Sequence, residues 1–219
     1  AIMTEKLHRT VAAVAGALLL ILTGVLSVES GFSYVDLNTL GVLIGMMLFV
    51  AVVKNSGIFE YIAIKAAKIA KGRPWPLRVL FALITAVLSA FLDNVTTVLL
   101  IGPMTLAITS MLRINPIPFF MTQIMASNIG GTATLIGDPP NIMIGSAAGL
   151  SFTDFITNTG VAVLFVLAAT IVCFYFIYGR KLHVEPEAMD SILQLDENKA
   201  IKDRSLLIKS VVMILLVVF

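Results

Sequence analysis

Ser127-Asn128-Ile129-Gly130-Gly131-Thr132-Ala133-Thr134-Leu135-Ile136-Gly137-Asp138-Pro139-Pro140-Asn141 lies inside an apolar run, 119–150, long enough to cross a bilayer. The middle of that run is polar and rich in helix breakers. Hydrocarbon offers no partner to free backbone N–H and C=O groups, so such a segment must be buried in protein or line a watery cavity. Unwound backbone at that depth exposes carbonyls and amides that can hold an ion or a small substrate. A carboxylate such as Asp138 is costly there, which points to a task. The stretch predicts a broken transmembrane helix.

A second polar island lies upstream, Asp93-Asn94-Val95-Thr96-Thr97, with apolar sequence over 79–92 before it and 98–112 after it. Two interrupted hydrophobic segments are the sequence pointer to a binding site at the membrane midplane. Arg78 and Arg113 bracket the second island's run. A leg of ~14 residues reaches about 21 Å, short of a ~30 Å hydrocarbon core. Two short legs with both basic ends on one side make a re-entrant hairpin over 79–112. The competing reading is one long tilted or kinked span, with Arg78 and Arg113 on opposite faces.

Composition puts the chain in the bilayer: 58% of its residues are hydrophobic, 13% are charged, and the mean hydropathy is +1.00. These values exclude an ordinary soluble domain. The formal charge of +2 says less than where the charges sit. A single cysteine, Cys173, excludes an intrachain disulfide and a multi-cysteine metal site. His8 and His183 flank apolar segments, have no partner at metal-ligand spacing, and read as interfacial residues.

The remaining spans follow from hydropathy. A basic-leaning lead, 1–9, precedes an apolar run that reads as helix 1 over about 10–28; a cleaved signal peptide is the alternative for such a start. Residues 29–38 read as an acidic, turn-rich loop, and about 39–54 as a second span. Gly41 and Gly45 there have the spacing that permits close helix contact, or are chance glycines. Lys65, Lys68 and Lys71 recur opposite Ile58, Tyr61, Ile62, Ile64 and Ile69, the pattern of an amphipathic helix in the membrane surface, stopped by Pro74-Trp75-Pro76. Residues 151–158 read as a loop, about 160–179 as a further span, and 179–204 as a charged segment without a core-forming pattern.

The domain organisation expected is therefore a first membrane repeat over 1–180, a cytoplasmic linker over 181–205 and the start of a second repeat over 206–219. The chain reads as a fragment ending within a membrane helix. Lys and Arg counts in short loops put 1–9, 54–78, 113 and 179–209 on the cytoplasmic side, including the N-terminus.

With both motifs placed, a resemblance can be stated. AFLDNVTTVLL with GPMTLAI, followed by SNIGGTATLIGDPPNI, resembles the P-protein, sodium/proton antiporter and arsenical pump membrane protein branch of the ion-transporter superfamily. It is more distantly similar to the divalent-anion:sodium symporters. The resemblance implies an all-α polytopic transporter of two inverted repeats, each with a re-entrant helical hairpin and a broken transmembrane helix. It also implies a homodimer, an elevator-type movement and a bacterial or archaeal cytoplasmic membrane. By resemblance to the Ser-Asn-Thr hairpin tip of the symporters, Asn94 and Thr96 or Thr97 inherit an ion-binding role. Asp93 and Asp138 depart from the symporter pattern.

The expected site therefore comprises Asp93, Asn94, Thr96, Thr97, Ser127, Asn128, Gly130, Gly131, Thr132, Thr134, Gly137, Asp138, Pro139 and Asn141. Asn94, Thr96 and Asp138 are the expected sodium ligands, since neutral oxygens and a carboxylate suit a hard cation. Asp93 and Asp138 are the only acids far from a span end. Competition of proton and sodium for one carboxylate would give exchange without further machinery. Each could instead cap a half-helix N-terminus. The threonines and asparagines could be helix–helix glue, and Gly130-Gly131 simple packing.

The function expected is secondary transport, with cation/proton exchange first and arsenite or antimonite efflux or sodium-coupled anion transport as alternatives. No cofactor is expected beyond a possible sodium ion. The expected partners are the small ion or anion, membrane lipid and a second copy of the chain, with no nucleic acid. An intramembrane aspartyl protease built on Asp93 and Asp138 is the remote enzymatic alternative. It lacks the glycine expected three residues before the second aspartate, where Leu135 stands.

Overall fold

The computed structural model describes residues 8–179 and 184–218. His183 and the basic lead before His8 lie outside the described residues. All regular elements among the described residues are helical. The chain divides into two compact units, residues 1–40 and residues 41–219.

In the first unit, α1 (Arg9–Leu22) is shorter than the span expected over 10–28. The Thr23 hydroxyl donates back to the Leu19 carbonyl at 2.8 Å, and Gly24 takes a φ of +73°. Ser27 then opens a second helix, α2 (Val28–Ser33), by accepting the Ser30 N–H at 3.0 Å. Part of the expected loop 29–38 is thus helical. Asp36 starts α3 (Leu37–Lys54), its carboxylate accepting the N–H groups of Asn38 at 2.9 Å and Thr39 at 3.2 Å. These side-chain caps satisfy donors that have no partner within a helix's first turn.

The second unit holds the two interrupted segments. A Cβ at Gly41 or Gly45 of α3 would meet nothing within 4 Å, so no described residue uses that pair for close contact. α4 (Ile58–Ile69) buries Phe59, Ala63, Ala66 and Ala67, while Ile69 of the expected apolar side is 64% exposed. The small alanine face wins because it packs against Leu77, Phe81, Ile108 and Leu112. α4 is stopped by Lys71 and Gly72, both at positive φ. Pro74 and Pro76 instead open α5, where a missing N–H costs least.

α5 (Pro74–Phe91) and α6 (Asn94–Met111) are 18 residues each and joined through Leu92 and Asp93. At about 27 Å apiece they exceed the legs expected from the apolar runs, and the length premise for re-entrance is corrected accordingly. Arg78 is not at a surface end either: it is 1% exposed. α7 (Ile117–Gly131) packs mainly along α5 and also meets α6. It gives way to a non-helical stretch over 132–138, after which α8 (Pro139–Ala148) resumes, so the span is broken where the sequence predicts.

Ser151 and Asp154 form a reciprocal capping box that starts α9 (Phe152–Phe155). This helix runs through a π-helical turn, Ile156–Gly160, into α10 (Val161–Phe174) and a second π-helical turn, Tyr175–Gly179. The expected loop at 151–158 is therefore the first part of a continuous 28-residue helix. Among the described residues, four helices are long and apolar enough to cross a membrane by length and composition: Leu37–Lys54, Pro74–Phe91, Asn94–Met111 and Phe152–Gly179. The protein is an all-α polytopic membrane protein.

The segment expected to lack a core pattern docks on α4. α11 (Pro186–Leu193) buries Ala188 and Ile192 in the cluster beneath α4, followed by a 3₁₀ turn, Glu197–Ala200, and α12 (Arg204–Val218). Lys68 and Glu197 form an ion pair at 2.5 Å, and the Lys202 N–H donates to the Ser56 carbonyl at 3.0 Å. Gly57 sits at φ +82°, where a Cβ would lie 1.9 Å from the Ala200 carbonyl oxygen.

Candidate functional site

The two breaks meet. α7 approaches α5 so closely that a Cβ on Gly130 would stand 2.1 Å from the Ala86 carbonyl oxygen. One on Gly137 would stand 2.7 Å from that of Ser89. The glycines of the broken helix thus serve close backbone approach. The Ser89 hydroxyl crosses to the Ser127 carbonyl at 2.7 Å, and the Thr134 hydroxyl donates to the Ala90 carbonyl. Gly131 faces the Gly137 carbonyl oxygen at 2.7 Å from its own ideal Cβ position, so the unwound stretch folds tightly on itself. Asn141 closes this stretch by donating to the carbonyls of Gly131 at 3.2 Å and Thr134 at 2.9 Å. Free carbonyls left by the break are in this way partly satisfied from within.

Asp93 and Asp138 occupy matching places, each the cap residue of a half-helix, but use their side chains differently. Asp93 accepts the Thr96 N–H at 2.9 Å, the behaviour of a structural N-cap. Asp138 makes no capping hydrogen bond, and Pro139 and Pro140 after it carry no N–H to cap. Its carboxylate faces the hairpin, where Asn94 Nδ2 lies 3.5 Å from Oδ2. The same amide nitrogen donates to Asn128 Oδ1 at 3.0 Å. Asn94 therefore joins the hairpin tip to both halves of the broken helix. Beside it, a cavity of about 230 Å³ between α6 and α7 is lined by Asn94, Val95, Val98, Leu99, Ile124, Ser127 and Asn128.

The other expected residues divide by what their polar atoms do. Thr132 is exposed and spends its hydroxyl on the Asn128 carbonyl of its own helix at 2.8 Å. The Ser127 hydroxyl donates to the Ile124 carbonyl of its own helix at 2.9 Å and the Thr134 side chain ties the break to α5, whereas Thr97 is fully buried with its hydroxyl unpartnered. A buried hydroxyl without a partner is a net cost to the fold, and Thr85, Thr105, Thr109 and Thr122 nearby all donate to the carbonyl four residues back. Among the described residues no group of three or more His, Cys, Asp or Glu side chains comes together, so any cation here would be held mainly by neutral oxygens.

Reasoning from sequence missed Ser89, Ala86 and Ala90, which supply α5's half of the contact. Their signal was present: Ala82, Ala86 and Ala90 recur every fourth residue, the small-residue pattern of closely packed membrane helices.

Comparison with known proteins agrees with this architecture. The family described as citrate transporter matches residues 1–219. An uncharacterized transporter of Mycobacterium bovis is 41% identical over 220 residues, covering 99% of this chain and 51% of its own length. A 46 kDa membrane protein of Mycobacterium leprae shows the same identity and coverage. Human P protein is 38% identical over 196 residues, 83% of this chain and 23% of its own. The chain thus spans about half the length of its mycobacterial relatives. With a match along its whole length and both interrupted segments in place, the chain belongs to the citrate transporter family of the ion-transporter superfamily.

Proposed function

We propose that the protein is a secondary active transporter that exchanges a monovalent cation, sodium first, for protons at the junction of the hairpin tip and the broken helix. The observation that carries this reading is Asp138: a carboxylate at the break, not engaged in capping, within reach of the Asn94–Asn128 amide pair. Sodium and a proton compete for such a group, and each removes its charge. Asn94, Asp138 and the unpartnered Thr97 hydroxyl are the oxygen donors this reading assigns to the ion, with Asp93 fixing the start of α6. The hairpin is re-entrant in this reading, and the N-terminus is cytoplasmic, as the Lys and Arg distribution favours.

The family's description favours a second reading, an organic anion carried with a coupling cation. Both half-helix N-termini are already faced by aspartates, so an anion would need that cation beside it.

The test uses the complete coding sequence in cells lacking their own antiporters. Everted vesicles acidified by respiration are followed with a pH dye while sodium, lithium, citrate or arsenite is added. Sodium-dependent dequenching that disappears in Asp138→Asn is expected. A response to citrate or arsenite with none to sodium would refute the exchange reading.

A further inference from the structure

Two places in the second unit hold cations without a counter-charge. At the first, Arg78 is 1% exposed and enclosed by the rings of Phe119 at 4.9 Å, Tyr178 at 5.5 Å and Trp75 at 5.8 Å, which leaves no way in for a ligand. The second borders a cavity. It measures about 670 Å³ and lies between α4 and the segment that leads into α12, walled by Ile58 and Ile62 on one side and by Ile201, Leu207 and Ile208 on the other. Its volume falls in the ~300–1,000 Å³ range of small-molecule sites.

The polar groups of the lining are Tyr61, Asn198 and Arg204, with no carboxylate among them. Lys65 joins them from the same face of α4: its Nζ lies 3.2 Å from the Tyr61 hydroxyl and 5.3 Å from the centre of that ring. The hydroxyl accepts from Lys65 and so keeps its own proton to donate. Among the described residues the ion pairs are Lys68–Glu197 and Arg113–Glu185, so Lys65 and Arg204 are both unpaired. The acids of the facing segment are engaged. Glu197 holds Lys68, Asp196 accepts the Asn198 N–H at 3.0 Å, and Asp203 accepts the Leu206 N–H at 3.0 Å. Glu60 of α4, whose Oε2 is buried without a partner, is not part of the lining. Residues 58–71 and 196–209 together carry seven Lys or Arg against four Asp or Glu, so the cavity sits in an excess of positive charge.

The geometry points to a binding site for one anionic phospholipid, with its phosphate between Lys65 and Arg204 and an acyl chain along the isoleucines and Leu207. Tyr61 and Asn198 are the further donors to the phosphate oxygens. Arg204 shares a helix face with Leu207 and Ile208, three and four residues on, so charge and apolar wall follow one another along α12. From Leu206 the sequence is apolar apart from Lys209 and Ser210, which sets Arg204 at the level of headgroups and Leu207 at the edge of hydrocarbon. A zwitterionic lipid brings its own cation into a cluster that lacks a free acid, and is disfavoured. Each basic residue near anionic headgroups strengthens binding about fivefold. The inference is independent of which ion is transported.

In the experiment the full-length protein, purified in detergent and stripped of lipid, is titrated with phosphatidylglycerol or phosphatidylcholine and read by native mass spectrometry. A photoactivatable phosphatidylglycerol maps the site. Wild type is expected to hold phosphatidylglycerol in preference to phosphatidylcholine, with labelled peptides in 58–65 and 198–208. Arg204→Gln and Lys65→Gln should each weaken phosphatidylglycerol about fivefold. Lys71→Gln, on the same stripe of lysines but outside the cavity, should not. Without lipid the variants should melt with wild type, and phosphatidylglycerol should raise the wild-type melting temperature more than theirs.

Equal affinity for the two lipids, label outside these peptides, or unchanged affinity in both charge variants would overturn the inference. A dimer that dissociates in Arg204→Gln would overturn it too, by making the groove an interface between copies, as would a groove closed to the lipid by the rest of the chain. Lipid preference and label position are read on wild type, so they decide between these outcomes even where a variant fails to accumulate.

Discussion

Replacing Gly130 with alanine tests the contact on which the site's geometry depends. The new Cβ would lie 2.1 Å from the Ala86 carbonyl oxygen and 2.6 Å from Ala86 Cα, both backbone atoms that no rotamer change can move. Relief requires α7 to back away from α5 by about an ångström, judged against ordinary contact near ~3.4 Å. That shift would stretch the 2.7 Å bond from Ser89 to the Ser127 carbonyl and pull Thr134 from Ala90. Overpacking of this kind costs ~1–3 kcal/mol, and the loss of a buried hydrogen bond adds about 1 kcal/mol. An alanine in an open helix position gains up to ~1 kcal/mol over glycine, leaving a net loss of ~1–4 kcal/mol. Gly41→Ala and Gly45→Ala are the matched controls, because a Cβ at either meets nothing within 4 Å. Thermal unfolding in detergent, followed by circular dichroism, should rank Gly130→Ala well below wild type and the controls at or above it. If Gly130→Ala melts alongside Gly41→Ala, the α5–α7 contact is not as close as described, and the staples across it lose their meaning.

Asp93→Ala should lower stability by about 1 kcal/mol through loss of the cap on Thr96, whereas Asp93→Asn, which caps as well, should be near neutral in the same melt. The hydrogen bond from Lys68 holds the Glu197 carboxyl below its usual range. A depressed folded-state value means the ion pair's contribution is present above the ordinary carboxyl range and is lost as pH falls through the lowered value. Amide protection factors in 186–193, taken relative to the intrinsic exchange rate at each pH, should therefore fall on acidification, and Glu197→Gln should flatten that dependence; an unchanged profile in the variant would assign the docking to Ala188 and Ile192 alone.

The breaks were legible because they violate the rules of the bilayer. A Gly-Asp-Pro-Pro run and an Asp-Asn pair inside apolar sequence have few physical readings, and the helices stop at both. Helix ends elsewhere were not legible from hydropathy, since the cap and not the apolar run decides them. Ser27 and Gly24 cut the expected first span, Ser151 and Asp154 extended the last, and Pro74 moved Arg78 inside α5. The alanine face of α4 depends on packing against Leu77, Phe81, Ile108 and Leu112 of other helices, and the docking of 184–203 on contacts more than a hundred residues apart, such as Lys68 with Glu197. Period and composition carry no trace of these. Likewise, Asp93 and Asp138 look equivalent in sequence, and only the partner of each carboxylate separates a cap from a candidate ligand.

The aromatic cluster at the base of the hairpin also makes the chain report on itself. Trp75 is its single tryptophan, and its indole meets Tyr175 edge-on at 5.0 Å and lies 5.8 Å from the Arg78 guanidinium. Tyr175 belongs to the helix that follows the broken span, so any shear between that helix and the hairpin changes the quenching and polarity the indole experiences. Intrinsic fluorescence excited at the red edge of absorption thus watches the hairpin base without any attached label, while ions are titrated at the opposite end.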